Sequence, residues 1–520
     1  MNGARSIQVA RQASLAVGLS ILFLQVSSVA EASEAASAPP HNVVFILTDD
    51  QRYDELGFLN DEVTTPQLDQ LAAEGVHVRN SFVTTSLCSP SRASILSGQY
   101  AHAHGIVDNL ERDTAPGTVF FPEMLQAAGY QTAFIGKWHL GRHEDTPQPG
   151  FDRWVSFAGQ GVYYPGADST LNVDGERVPQ KGYITDELTD YALDWLGSID
   201  RDRGFFLYLS HKAVHADFLP AERHRGQHPS GEINLPRAAA SGYQYPEGTP
   251  MWVRNQRNSW HGVEFPYHSD LDLREYRQRY HEALMAVDES LGRVREALSE
   301  LGLADNTLVV FMGDNGFLFG EHGLIDKRNA YEESMRVPLI VQGAGLPAGA
   351  TVDDMVLNID IAPTLLEWTG TEPTTTMHGR SFLPQLRGES VNNWRTEFLY
   401  EYFWEWVFPH TPTTFALRTD RYKLIQYHGI WDTDELYDLH ADPAEQVNLI
   451  GRPEYRDLAQ SMRERLFRSI RETDGTPSVP FTMKRGPGLH YRRASGSHAA
   501  PFPGKLLRTG HEDDLEHYTD

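Results

Sequence analysis

Five short runs of unbroken apolar character constrain this chain more than any other feature: residues 42–48 (NVVFILT), 132–135 (TAFI), 205–209 (FFLYL), 307–312 (TLVVFM) and 337–341 (VPLIV). A strand wetted on one face alternates polar and apolar residues, so a run without alternation must be covered on both faces. That is the environment of strands inside a mainly parallel sheet. Helical patterns separate the runs. Thr65 is placed to cap a helix that Pro66 opens and Gly75 stops, and a second short helix is expected over residues 121–128. The longest pattern sets Tyr276, Tyr280, Leu284, Val287, Leu291, Val294 and Leu298 on one stripe ending at Gly302, long enough to cover a sheet face. Strands alternating with helices predict an α/β fold, a large mainly parallel sheet sandwiched by helices.

The pattern changes after about residue 375. Short strands over residues 418–427 and 435–439 and a helix over 455–471 predict a smaller C-terminal α+β subdomain. The expected organisation is a signal peptide (1–31), a leader (32–41), a catalytic domain (42–375), the subdomain (376–473) and a polar tail (474–520) that wraps the surface or is partly mobile. The signal peptide rests on Arg5 and Arg11 ahead of the apolar residues 15–24 and on the small residues around Ala30. It predicts a periplasmic or secreted protein without a membrane anchor. With 45 Lys and Arg against 71 Asp and Glu, the net charge of −26 repels nucleic acid and other polyanions. An anionic substrate must therefore be captured locally. The lone cysteine, Cys88, excludes an intramolecular disulfide.

Polar clusters follow the apolar runs, where ligands bind in open α/β sheets. Asp49 and Asp50 come directly after the first run and Asp314-Asn315-Gly316 after the fourth. Each reads either as a turn or as part of an all-oxygen site for a hard cation. Cys88-Ser89-Pro90-Ser91-Arg92 precedes a short helix closed by Gly98, with Ser89 as cap and Cys88 just outside the N-terminus. The helix end and Arg92 favour an anion there, although a lone cysteine is also a small buried hydrophobe. Lys137 and His139 follow the second run, His215 the third, and Lys327 lies in the loop after Asp314. Such residues at strand ends bind oxyanions and move protons.

In these motifs the chain resembles the formylglycine-dependent sulfatases of the alkaline-phosphatase-like superfamily. The Cys-x-Pro-Ser-Arg segment at Cys88 and the Gly136–Gly141 segment carry the resemblance, supported by the double Asp and the Asp-Asn-Gly, over about residues 42–449. It implies that a maturation enzyme oxidises Cys88 to Cα-formylglycine, whose hydrate attacks sulfur. It further implies that Asp49, Asp50, Cys88, Asp314 and Asn315 hold Ca²⁺ or Mg²⁺. Arg92 would steady the hydrate, Lys137 and Lys327 would neutralise sulfate oxygens, His215 and Lys327 would protonate the leaving oxygen, and His139 would act as base. The context of His215 departs from the family's His-x-Pro, with Asp217 in place of Pro.

The string Asp326-Lys327-Arg328 before Tyr331-Glu332, and Asp108-Asn109, are similar to the branch containing N-acetylglucosamine-6-sulfatases. The implied substrate is a sulfated saccharide from a glycosaminoglycan or algal polysaccharide. Aromatic and basic residues suited to sugar contact lie at Trp252, Arg254, Arg257, Trp260 and His261, and again at Tyr402, Phe403, Trp404, Trp406, His410 and Thr411. They serve equally well as core or domain-junction residues. Arg254 and His410 are the substrate contacts expected, and residues 221–270 the expected seat of selectivity. Competing readings are a phosphonate or phosphate monoester hydrolase of the same superfamily, a non-catalytic sulfated-glycan binding protein, and a thiol hydrolase.

Overall fold

The computed structural model describes residues 41–110, 113–228, 233–239, 243–256 and 272–479. The expected signal peptide, nearly all of the leader and most of the tail lie outside the described residues, as do Arg257, Trp260 and His261. Among the described residues no helix is long and apolar enough to cross a membrane.

The five apolar runs become strands of one ten-stranded sheet. Asn42–Thr48 lies near its middle, parallel to Phe205–Ser210 on one side and Thr307–Gly313 on the other, and all seven of its residues are buried. Gln131–Gly136 continues the parallel set beyond Phe205–Ser210. Leu339–Gln342 pairs antiparallel to Thr307–Gly313, and Thr170–Val173 with Glu176–Pro179 add antiparallel strands at the far edge. The sheet is thus mixed but mainly parallel through its centre.

Successive residues of a strand face opposite sides, and the first strand shows it. Val44 and Ile46 join the core beneath Pro66–Glu74, Ile184–Ser198 and Leu273–Glu300. Val43, Phe45 and Leu47 join the core beneath Cys88–Ser97, Phe121–Ala127 and Ile361–Thr369. The helix Leu273–Glu300 buries every residue of its expected stripe. A third core unites a separate antiparallel sheet, Glu397–Tyr402, Thr413–Thr419, Tyr422–His428 and Glu435–Asp438, with the helix Arg456–Glu472.

Three local expectations are corrected. Residues 418–427 do not form one strand, because a tight turn at Asp420-Arg421 splits them into two antiparallel strands. The Thr65 side chain does not cap its helix. It accepts from the Gly57 N–H at 2.7 Å and donates to Asp69, while the first-turn N–H groups of Gln67 and Leu68 donate to Asp288 of the long helix. Cys88 is not outside the helix but opens it, with Leu87 in the extended cap position and Ser89 within the first turn.

Candidate active site

Strand register assembles the site. Thr48 aligns with Gly313, Leu47 with Ser210, and Ser210 with Gly136, so four neighbouring strands end at one level. The residues that follow, Asp49-Asp50, Asp314-Asn315, Lys137 to His139 and His211 to His215, leave the sheet from the same edge. Gly136 permits the close approach there: its φ is +126°, and a Cβ on it would lie 1.8 Å from the Ser210 carbonyl oxygen.

Asp49, Asp50 and Asp314 each offer a carboxylate oxygen within 4.8 Å of the others, all fully buried. The Asp50 N–H donates to Asp314 Oδ1 at 3.0 Å and Asn315 Nδ2 donates to Asp50 Oδ1 at 2.8 Å. Asn315 Oδ1 is buried with no hydrogen-bond partner. A buried amide oxygen left unpaired beside three carboxylates is a donor set that fits a hard divalent cation.

Cys88 Sγ stands against this group, 3.4 Å from Asp49 Oδ1, with Lys327 Nζ at 3.2 Å and Lys137 Nζ at 3.9 Å. Lys327 also donates to both oxygens of Asp50 at 2.6 and 2.8 Å, and Lys137 to Asp49 and to Gln160 Oε1, the latter at 2.5 Å. Arg92, one turn along the helix from Cys88, is locked in place. Its guanidinium donates to Asp314 at 2.9 Å, the Lys137 carbonyl at 2.8 Å and Ser210 Oγ at 2.7 Å. His215 Nε2 lies 3.8 Å from Asp50 Oδ2, and its Nδ1 is 2.8 Å from the Ala216 carbonyl. His139 adopts a left-handed φ of 54° and meets Ser89, whose hydroxyl donates to its carbonyl.

The charges of the site set its protonation. Burial pushes the Asp49 carboxyl up, but Lys137, His215, Arg92 and Lys327 together hold it well below the usual range. Burial and then Asp49 raise Asp314 and the Cys88 thiol. Burial, followed by Lys137, holds both His139 and His215 well below an ordinary imidazole, so each is neutral at pH 7.

The structure therefore brings together Asp49, Asp50, Cys88, Arg92, Lys137, His215, Asp314, Asn315 and Lys327, with His139 beside the first turn of the Cys88 helix. The two expected sugar contacts are placed differently. Arg254 spends its guanidinium on the carbonyls of Thr249 and Pro246 at 3.1 and 3.0 Å, and His410 is exposed in the loop between Glu397–Tyr402 and Thr413–Thr419. That loop is tied to the Lys327 segment by Arg328, whose Nε donates to Glu405 at 3.0 Å while its guanidinium lies 3.7 Å from the centre of the Phe408 ring. Gln160 and Ser210 were not anticipated. Ser210 ends an apolar strand and could have been noticed for that, whereas Gln160 lies in an irregular loop without a pattern.

A mixed sheet thus carries a lone cysteine, two lysines and an acidic cluster at its strand ends. The sulfatase family model matches residues 41–371, and the model described as N-sulphoglucosamine sulphohydrolase, C-terminal, matches residues 320–472. The chain belongs to the sulfatase family and is a sulfuric ester hydrolase. Among its relatives is the N-acetylglucosamine-6-O-sulfatase of Bacteroides thetaiotaomicron, 31% identical over 86% of this chain and 89% of that protein. A solved structure of a protein in complex with its substrate D-glucosamine-2-N,6-O-disulfate is 30% identical, with a TM-score of 0.75 over 84% of this chain and 98% of that one. The phosphonate monoester hydrolase of Agrobacterium radiobacter, at 22% identity and a TM-score of 0.69 over 83% of this chain and 96% of that one, shares the fold.

Proposed function

We propose that this protein is an exported carbohydrate sulfatase that removes 6-O-sulfate from N-acetylglucosamine-type units of glycosaminoglycans or related polysaccharides. The observation that carries the reading is Cys88 Sγ set between two ammonium groups and an oxygen-rich cluster with one amide oxygen unpaired. The 6-O-sulfatase relative and the glucosamine disulfate complex support the sugar. Export is supported by the apolar residues 15–24 and their flanks.

Asp49, Asp50, Asp314 and Asn315 would hold Ca²⁺, which when bound supplies Lewis-acid polarisation of a sulfate oxygen. Conversion of Cys88 to Cα-formylglycine by a maturation enzyme would replace Sγ by an oxygen nucleophile. The remaining work falls to side chains already in place. Lys137 and Lys327 face the Cys88 position and would neutralise sulfate oxygens as charge builds. Arg92, held by Asp314, the Lys137 carbonyl and Ser210, would fix the orientation of residue 88. Neutral His139 would accept a proton at an imidazole nitrogen, and Lys327 Nζ would deliver one to the departing sugar oxygen, beside neutral His215.

The test is release of free sulfate from 6-O-sulfated N-acetylglucosamine and sulfated glycosaminoglycan and algal fragments, by protein co-produced with a maturation enzyme. Cys88→Ala is the control, and the mass of the Cys88 peptide is read in parallel. Release from a sulfated sugar, lost in the variant, is expected. An aldehyde at residue 88 with turnover only of phosphonate or phosphate esters would establish the hydrolase alternative. An intact thiol and glycan binding without turnover would establish the binding-protein alternative.

A further inference from the structure

At the end of the antiparallel sheet nearest Lys327, two loops lie side by side. Register places residues 403–412, between Glu397–Tyr402 and Thr413–Thr419, and residues 429–434, between Tyr422–His428 and Glu435–Asp438, at the same end. Both present large apolar side chains to water. Trp404 and Trp406 are 52% and 64% exposed, Trp431 is fully exposed, and Ile430 and Met251 add to the same end. Single exposed apolar residues need no explanation, but a cluster of indoles on neighbouring loops marks an interaction surface.

The loops are pinned rather than loose. The Trp404 N–H donates to Thr413 Oγ1 at 3.0 Å and its indole N–H to the Pro409 carbonyl at 3.2 Å, which orients the ring. Asp432, directly after Trp431, accepts from the N–H groups of Met251 and Trp252 at 2.9 and 2.8 Å, the start of the helix Met251–Asn255. An oriented ring such as that of Trp404, and loops whose backbone is fixed, lose little freedom when they bind, and flat indole faces suit flat partners. The loop that carries Trp404 and Trp406 is also tied to the candidate active site from within: Glu405 and Phe408 grip the buried Arg328, next to Lys327, whose Nζ lies 3.2 Å from Cys88 Sγ.

We infer that Trp404, Trp406 and Trp431 form a stacking platform for the sugar units adjoining the sulfated one, so that the preferred substrate is an oligosaccharide chain and not a free monosaccharide. This inference rests on the carbohydrate-sulfatase reading above. The indoles offer broad apolar faces to pyranose rings, while the charged groups around Cys88 suit the sulfate.

The experiment measures KM and kcat of the matured full chain on 6-O-sulfated N-acetylglucosamine and on 6-O-sulfated chito-oligosaccharides of two to six units. KM is expected to fall by about tenfold or more between one unit and four, as two or three stacked rings would give. Trp406→Ala and Trp431→Ala should each remove most of that preference, and Trp431→Phe, which keeps an aromatic face, should restore part of it. Equal KM at every length, or variants that retain the full preference, would overturn the inference while leaving the sulfatase reading intact. A lower melting temperature with the preference unchanged would assign the rings to packing, and a wild-type dimer broken by these substitutions, seen by light scattering, would assign them to a protein interface. Either result overturns the platform. Absence of sulfate release from every saccharide would overturn the carbohydrate reading and the platform with it.

Discussion

Gly136 controls where Lys137 stands. Its φ of +126° and the 1.8 Å gap that a Cβ would leave to the Ser210 carbonyl mean that no side chain fits without parting two central strands. The same carbonyl accepts the Lys137 N–H at 2.8 Å, and the Lys137 carbonyl holds Arg92. Gly136→Ala should therefore cost on the order of 2 kcal/mol in chemical denaturation. It should also lower kcat by about a hundredfold, because a displacement of about 1 Å at reacting groups has that effect. Asn315 poses a second residue-scale question. Its unpaired buried oxygen implies a cation ligand, so Asn315→Ala in a Cys88→Ala background should weaken Ca²⁺ binding, read by calorimetry, by at least about tenfold, the loss that mutation of even an outer-shell partner causes. Unchanged calcium affinity would remove Asn315 from the donor set. The acidic and basic members of the site were legible because each follows an apolar run. Gln160 was not, since only the folded loop brings its carbonyl to Lys137.

Helices were easier to find than their fastenings. The stripe of Leu273–Glu300 was readable because its large apolar residues from Tyr276 to Leu298 recur at helical spacing, but nothing local announces that Asp288 on this helix serves another. Its carboxylate accepts from Leu68 N at 2.8 Å and from Gln67 N at 3.0 and 3.1 Å, taking the role that Thr65 was expected to fill. A cap supplied across 220 residues of sequence is invisible to pattern reading, which sees only neighbours along the chain. It also couples two helices that cover one sheet face. Asp288→Ala should destabilise the protein by about 2 kcal/mol, the upper range for losing a cap, because the freed N–H groups are partly buried. Thr65→Val should cost the contacts to Gly57 and Asp69 without loosening the helix start, and hydrogen exchange at Gln67 and Leu68 separates the two: protection falls in the first variant and persists in the second. Exchange that is unchanged in Asp288→Ala would show that the cap is dispensable. The split of residues 418–427 had a similar cause, since Asp420-Arg421 carries no glycine or proline to mark the turn.

At the scale of the molecule, the antiparallel sheet is fastened to the Lys327 segment through buried polar groups as well as through apolar packing. Glu435, fully buried in that sheet, accepts from the hydroxyls of Tyr427 and Tyr437 and from Tyr331 at 3.0 and 3.2 Å. Tyr331 lies four residues after Lys327, so this carboxyl ties the sheet to the segment that carries Lys327. Burial pushes the Glu435 carboxyl up to about 7, against the opposing pull of the three tyrosines and Lys423. Its folded pKa therefore exceeds its unfolded value, near 4.5. The stability it contributes is fully present below about pH 4.5 and is lost as pH rises through about 7. The change is on the order of 3 kcal/mol, from a shift of about 2.5 units at 1.36 kcal/mol each. Glu435→Gln cannot ionise and should lack this dependence. Measured by urea denaturation at pH 4.5 and 7.5, the wild type should lose stability relative to the variant across that interval. Parallel curves for the two proteins would mean that Glu435 is ionised throughout, with its three tyrosine hydrogen bonds outweighing the cost of burial.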